Sequence, residues 1–458
     1  MERRQFLRAA CAGVAAAALT SQGGTVAAAR RRPNVIIIYT DDQGTCDLPS
    51  YGSKDLVTPN IESLVKRGTR FTQFYAPGPV CSPSRAGLLT GRYPLHAGLP
   101  NNSPSERGHP GGLPSDQVTI AEMMKAAGYA TAHIGKWHLG YQPDKMPNAQ
   151  GFDFSFGFMG GCIDNYSHFF YWSGPNAHDM WRNGKEVYEP GKYFPDLMVE
   201  EASKFLEAHR DEPFFMYYAM NNPHYPYQGK PKWLKYYNDK GEPYPRNLYA
   251  AFISTLDERV GKLLDKVDEL GLRDDTIIIF QSDQGYSTEE RAHYGGGNAG
   301  PYRGAKFSMF EGGIRIPAII SWPGHLPEGA VRNQMAIGCD WMPTIAELCG
   351  VPLPKVPIDG KSIVPLIKSA DAPTPHKVLQ WQSGLGKHAH WAVREGDWKL
   401  LGNPQDTSHK APITRDDKLF LVNLKQDVTE MRNLAKQYPD KVAHLEKLHD
   451  DWIASLGS

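Results

Sequence analysis

Several short polar blocks interrupt an otherwise apolar pattern, and one of them, Cys81-Ser82-Pro83-Ser84-Arg85, has the spacing of an anion site. Pro83 onward reads as the first turn of a helix, where unpaired N–H groups and the positive end of the dipole favour a bound oxyanion. Arg85 adds a planar fork of donors to the same anion. Elsewhere Asp41, Asp42, Asp283 and Gln284 offer only carboxylate and amide oxygens. That donor set suits calcium, which accepts six to eight oxygens in flexible geometry, better than magnesium; zinc would call for histidine ligands. Lys136, His138, His224 and Lys306 supply further cations and groups able to move protons. Singly, each block has an ordinary explanation. Cys81 could be a small buried residue, Asp41-Asp42 a cap, His138 a core histidine and Asp283-Gln284-Gly285 a turn.

Joint placement favours chemistry over those explanations, and it comes from the elements that carry the blocks. Apolar runs at 35–39, 129–134, 214–219 and 276–280 read as buried parallel strands, the first being a continuous apolar stretch whose pattern the last repeats. Asp41-Asp42, Lys136 with His138, His224, and Asp283-Gln284 follow these four strands in turn. Ligands of open α/β sheets bind beyond the carboxyl ends of the strands, so all four polar groups are expected at one edge. Helices are expected at 61–67, 120–127 and 247–270, giving an α/β fold with a large, mixed, mostly parallel sheet sandwiched by helices. Residues 141–195 show little periodicity and read as an elaborated surface insertion. Beyond about 375 the texture changes to short alternating segments, with a hairpin over 391–401, a strand at 419–424 and a closing helix at 436–456.

Length and composition agree with this. The chain has 458 residues, 41% apolar and 11% aromatic, enough for one large domain and a smaller one. Lys plus Arg and Asp plus Glu number 50 each, so no overall basic field attracts nucleic acid or an anionic membrane. Arg3-Arg4-Gln5-Phe6-Leu7-Arg8, an alanine-rich stretch and Ala27-Ala28-Ala29 resemble a twin-arginine signal over 1–29, read by the export machinery and too short in its apolar part for a stable membrane anchor. The expected location is periplasmic or extracellular. Without that segment five cysteines remain, Cys46, Cys81, Cys162, Cys339 and Cys349; if Cys81 is consumed by modification, the other four are expected mostly as buried thiols.

Cys81-x-Pro83-x-Arg85, continued by Ala86-Gly87-Leu88-Leu89-Thr90-Gly91-Arg92, resembles the signature of type I, formylglycine-dependent sulfatases of the alkaline phosphatase superfamily, in the arylsulfatase and N-acetylgalactosamine-6-sulfatase group. Asp41-Asp42, the GKWHLG stretch from Gly135, Pro223-His224-x-Pro226, Ser282-Asp283-x-Gly285, Gly304-Ala305-Lys306 and Asn433-Leu434-Ala435 match further blocks of that family. The resemblance implies a catalytic domain over 30–374 and a C-terminal antiparallel-sheet subdomain over 375–458, packed by a helix. It also implies an enzyme hydrolysing sulfate esters, most simply of a sulfated carbohydrate, with one calcium ion and a formylglycine made from Cys81 by a maturing enzyme.

In that mechanism a hydrated aldehyde at position 81, itself a ligand of the metal, attacks sulfur, and its second hydroxyl then expels sulfate. Arg85, Lys136 and Lys306 hold the sulfate oxygens, Asp283 helps activate the nucleophile and His138 assists the collapse. A sugar alkoxide needs a proton as it leaves, and His224 is the expected donor, with Lys306 beside it. Gln284 departs from the Asn or His more usual in the family but offers the same amide oxygen on a longer arm. Tyr166, His168, Trp172, Trp181 and Arg182 in the aromatic stretch, with His388 and His390 beyond 375, are candidates for recognising the sugar. Two alternatives stay open: a phosphate mono- or diester hydrolase of the same superfamily, and a sulfated-glycan binding protein without turnover.

Overall fold

The computed structural model describes residues 32–170, 176–411, 413–414 and 417–457. The expected signal segment and Trp172 lie outside them. Among the described residues no helix is long and apolar enough to cross a membrane.

Ten strands form one mixed sheet, and its run of five adjacent parallel strands includes the four expected from the sequence. These are β1 (Asn34–Thr40), β2 (Ala130–Lys136), β3 (Phe214–Ala219) and β4 (Thr276–Ser282), in the spatial order β4-β1-β3-β2. Their alternating side chains feed two cores. Val35, Ile37 and Tyr39 of β1 pack with Ile277 and Ile279 of β4 on one face, while Ile36 and Ile38 pack with Ile278 and Phe280 on the other. Burial on both faces is why these segments are apolar without alternation. The α/β architecture expected from the strand pattern is what the chain adopts.

Helices pack on both faces. Arg246–Glu269 lays Leu256, Val260, Leu263 and Val267 against one core, and Ile120–Ala126 enters the other. The second helix is started by a capping box, with Thr119 accepting from the Glu122 N–H at 3.1 Å and Glu122 accepting from the Thr119 N–H at 3.0 Å. Thr119→Ala is expected to cost about 1 kcal/mol of stability, read from a urea midpoint, because it strips the acceptor from a buried first turn.

The 141–195 stretch is not confined to the surface. Phe154–Phe158 pairs in parallel with β2, is almost wholly buried, and is itself extended by Trp181–Arg182 and Lys185–Glu186. Its Phe-Ser-Phe-Gly-Phe sequence packs aromatic rings into a sheet, a use that periodicity alone does not reveal.

A separate four-stranded antiparallel sheet follows: β5 (Val378–Ser383), β6 (His390–Glu395), β7 (Trp398–Gly402) and β8 (Leu419–Asn423), covered by the helix Pro439–Ala454. Its other face joins the main body through Leu379, Trp381, Leu401 and Phe420, which pack with Tyr75, Phe310 and Ile337. Buried Lys399 adds an ionic tie, 2.9 Å from Glu311 and 3.0 Å from Glu430.

Candidate active site

The four central strands end at one edge, and the polar blocks that follow them converge there. Asp41 and Asp42 follow β1, Lys136 ends β2, His138 comes two residues later, His224 follows β3, and Asp283 and Gln284 follow β4. Asp42 and His138 hold left-handed backbone, φ 63° and 56°. Non-glycine residues adopt that conformation at a cost and often at sites whose geometry matters more than local comfort.

Cys81 enters from a fully buried helix, Cys81–Thr90, closed by Gly91 in left-handed conformation. The helix begins at Cys81, two residues before the expected Pro83, so the thiol stands at the positive end of the helix. Its Sγ lies 3.6 Å from Asp41 Oδ1. Burial pushes the thiol up to about 12 despite Lys136 and Lys306 nearby, so at neutral pH it is neither thiolate nor effective nucleophile.

Beneath the thiol lies a charge-balanced cluster. Arg85 is fully buried and donates to Asp283 Oδ2 at 2.9 Å, with Asp41 Oδ1 at 3.5 Å. Lys136 Nζ is 2.7 Å from Asp41 Oδ2, and Lys306 Nζ 3.0 Å from Asp42 Oδ2. Burial opposes ionisation of Asp41, but the charges of Lys136 and Arg85 outweigh it and hold the carboxyl well below the usual range. Asp42 is pushed up to about 8, first by burial and then by the neighbouring charges of Asp41 and Asp283, against the pull of Lys306. Asp283 rises to about 6 through burial and Asp41.

Three facing carboxylates, two of them resisting ionisation, form a set that a divalent cation would relieve. Ligating atoms of Asp41, Asp42, Cys81 and His224 lie within 4.8 Å of one another. Asp283 joins through Oδ1, which accepts from the Asp42 N–H at 3.0 Å. Gln284 reaches the same point: its Nε2 bonds Asp42 Oδ1 and is 3.8 Å from Cys81 Sγ, while its buried Oε1 has no hydrogen-bond partner. Half a turn of that amide would deliver its oxygen to a cation. The oxygen-rich set therefore fits a hard metal ion, and the longer arm of Gln284 does not take it out of reach.

The two histidines differ in where their protons sit. His224 Nδ1 lies 2.8 Å from the Tyr225 carbonyl, which can only accept, so Nδ1 carries the proton and Nε2 presents a lone pair to Lys306 Nζ at 3.3 Å. His138 Nε2 lies 3.0 Å from the Ser103 carbonyl, leaving Nδ1 buried without a partner. Burial first, then the nearby lysines, hold both imidazoles well below their ordinary range, so both rings are neutral.

A pocket of about 290 Å³ opens over Cys81, lined among others by His138, His224, Lys306, Asn102, Glu289 and Phe307. A larger cleft of about 580 Å³, lined by Asn60, Lys230 and Arg259 among others, shares none of its residues. Arg85 and Lys136 stand behind the pocket wall rather than in its lining. They pair with the carboxylates there, Arg85 with Asp283 at 2.9 Å and Lys136 with Asp41 at 2.7 Å.

The candidates for sugar recognition are likewise elsewhere. His168 is fully buried and bonds the Lys192 carbonyl at 3.0 Å, Trp181 donates to Asp179 at 2.7 Å, and Arg182 pairs with Glu201 at 2.9 Å. Tyr166 packs on Tyr193, His388 is exposed in a short turn, and His390 Nδ1 bonds the Asn403 carbonyl. None of them lines the pocket. The aromatic-rich stretch contributes Gly161, Cys162 and Phe170 instead, and further wall comes from 102–106, Glu289 and Arg291, which carry no motif or periodic signal.

The sulfatase family model matches residues 33–351, and a model described as N-sulphoglucosamine sulphohydrolase, C-terminal, matches 303–453. Arylsulfatase A of Bos taurus is 34% identical over 444 residues, covering 88% of this chain and 83% of that protein. Human N-acetylgalactosamine-6-sulfatase is 32% identical over 356 residues, covering 73% and 65%. Among solved structures, Ps i-CgsB in complex with k-i-k-neocarrahexaose superposes with a TM-score of 0.82 at 31% identity, covering 92% of this chain and 93% of that one.

Proposed function

The chain belongs to the sulfatase family and is a sulfuric ester hydrolase, and from that premise we propose that it acts on a sulfated carbohydrate through a formylglycine made from Cys81 by a maturing enzyme. The observation that carries the formylglycine reading is the placement of position 81: first residue of a helix, at a pocket floor, with a thiol too weakly acidic to attack as a thiolate. The carbohydrate reading is supported by the likeness to Ps i-CgsB, solved with a neocarrahexaose. Export through the Arg3-Arg4 segment is part of the same proposal and rests on sequence alone.

The aldehyde hydrate supplies an oxygen nucleophile with a second hydroxyl for sulfate release, and a calcium ion held by Asp41, Asp42, Asp283 and Gln284 would polarise the ester as a Lewis acid. Arg85 and Lys136 keep Asp41 and Asp283 ionised and aimed at position 81. His138, whose Nδ1 is free, accepts a proton as sulfate leaves. The donor to the departing alkoxide is Lys306 rather than the expected His224. A neutral His224 with its proton committed to the Tyr225 carbonyl has none to give, whereas the ammonium carries three, oriented by His224 Nε2 and Asp42.

Lys306→Ala is expected to lower kcat on a sugar sulfate by about 100- to 10,000-fold, and on an aryl sulfate with an acidic phenol by far less, because only the poor leaving group needs the proton. Equal losses on both would remove Lys306 from that role. The reading as a whole is tested by sulfate release from defined sulfated mono- and disaccharides, with a calcium chelator and Cys81→Ala as controls. Matched aryl sulfate and phosphate esters complete the test, and faster turnover of the phosphate would overturn it.

A further inference from the structure

The connection between β7 and β8 leaves its own sheet to bind the segment that carries Lys306. The Gly304 N–H donates to Ser408 Oγ at 2.9 Å, and the Ala305 N–H to Thr407 Oγ1 at 3.0 Å. Ser308 Oγ donates to the Gln405 carbonyl at 2.6 Å, and Arg303 Nε to Asp406 Oδ2 at 2.8 Å. The same connection holds the facing wall, since Thr288 Oγ1 donates to the Thr407 carbonyl at 2.8 Å. The next residue, Glu289, has Oε2 3.4 Å from Lys306 Nζ. Residues 405–408 do not line the pocket, yet they bond to the segments bearing both members of that ion pair.

We infer that Thr407 and Ser408 are positioning residues for Lys306, so that the C-terminal sheet sets the reach of the proton donor. Both hydroxyls accept from backbone N–H groups within two residues of Lys306, and the next residue, Phe307, is held in left-handed conformation at φ 72°. Backbone fixed this way has little slack, and a catalytic group displaced by about 1 Å loses about 100-fold in rate. Arg303, 1% exposed, seats the connection itself through Asp406 and the carbonyls of Glu430 and Ala411. This inference rests on the reading of Lys306 as the proton donor.

Thr407→Val removes the acceptor for Ala305 while keeping side-chain shape and the Thr407 carbonyl; Ser408→Ala does the same for Gly304. Each is expected to lower kcat on a sulfated monosaccharide by about tenfold or more, with KM changed less than about twofold, and to spare an aryl sulfate with an acidic phenol. Thr407→Ser should restore the rate. The deciding measurement repeats Thr407→Val and Ser408→Ala in a Lys306→Ala background, where the losses should vanish because residues acting through one group are not additive. Equal losses with and without Lys306, or equal losses on both substrates, would show a merely structural role and overturn the inference. Undiminished sugar-sulfate release by Lys306→Ala alone would instead overturn the reading of Lys306, and this inference with it.

Discussion

Cys81→Ala should reduce sulfate release by at least about 10,000-fold on every substrate, whatever its leaving group, because it removes the atom from which the nucleophile is made. The loss should be confined to chemistry. Cys81 is buried, but its side chain exceeds alanine by one sulfur, and the cavity left at the pocket floor is open to water, so the urea midpoint should shift little. Cys81→Ser sharpens the test. A serine hydroxyl offers one oxygen and no second hydroxyl, so an attack on sulfur would leave a stable sulfate ester, seen as one equivalent of alcohol released without free sulfate. Mass spectrometry of the position 81 peptide completes it, since full activity in protein whose Cys81 remains an unmodified thiol would overturn the proposed nucleophile.

Arg85→Met should damage stability and rate together. Arg85, Asp41 and Asp283 are all fully buried, and the guanidinium is the closest cation to Asp283. Removing one partner of a buried pair leaves the other charge uncompensated, at a cost of about 3–5 kcal/mol, far above the fraction of a kcal/mol expected for an exposed pair such as Lys447–Asp451. Loss of the oriented carboxylates should also lower kcat by about 100- to 1,000-fold, the usual scale for removing one electrostatic contact in a preorganised site. A variant as stable as the parent yet inactive would assign Arg85 to substrate alone and remove its part as counter-charge.

Much of this was legible in one dimension because it depends on local pattern. β1 and β4 are continuous apolar runs since both faces of the central sheet are covered, and their carboxyl ends are marked by Asp41-Asp42 and Asp283-Gln284. The Phe154–Phe158 strand was not legible, because an aromatic strand beside glycine-rich turns has no period to distinguish it from a loop.

The sequence by itself determined the α/β architecture, the strand ends that meet and the chemistry gathered there, all properties of residue type and short spacing. Only the tertiary structure decided which of those groups face the pocket, that Arg85 and Lys136 stand behind it, and that His224 Nδ1 meets the Tyr225 carbonyl. The reason is physical. A histidine's tautomer is set by a single carbonyl, a lysine's aim by N–H groups bonded to hydroxyls about a hundred residues away, and a pocket wall by whichever turns happen to close over it. Such partners are chosen by packing, and they leave no periodic mark in the chain.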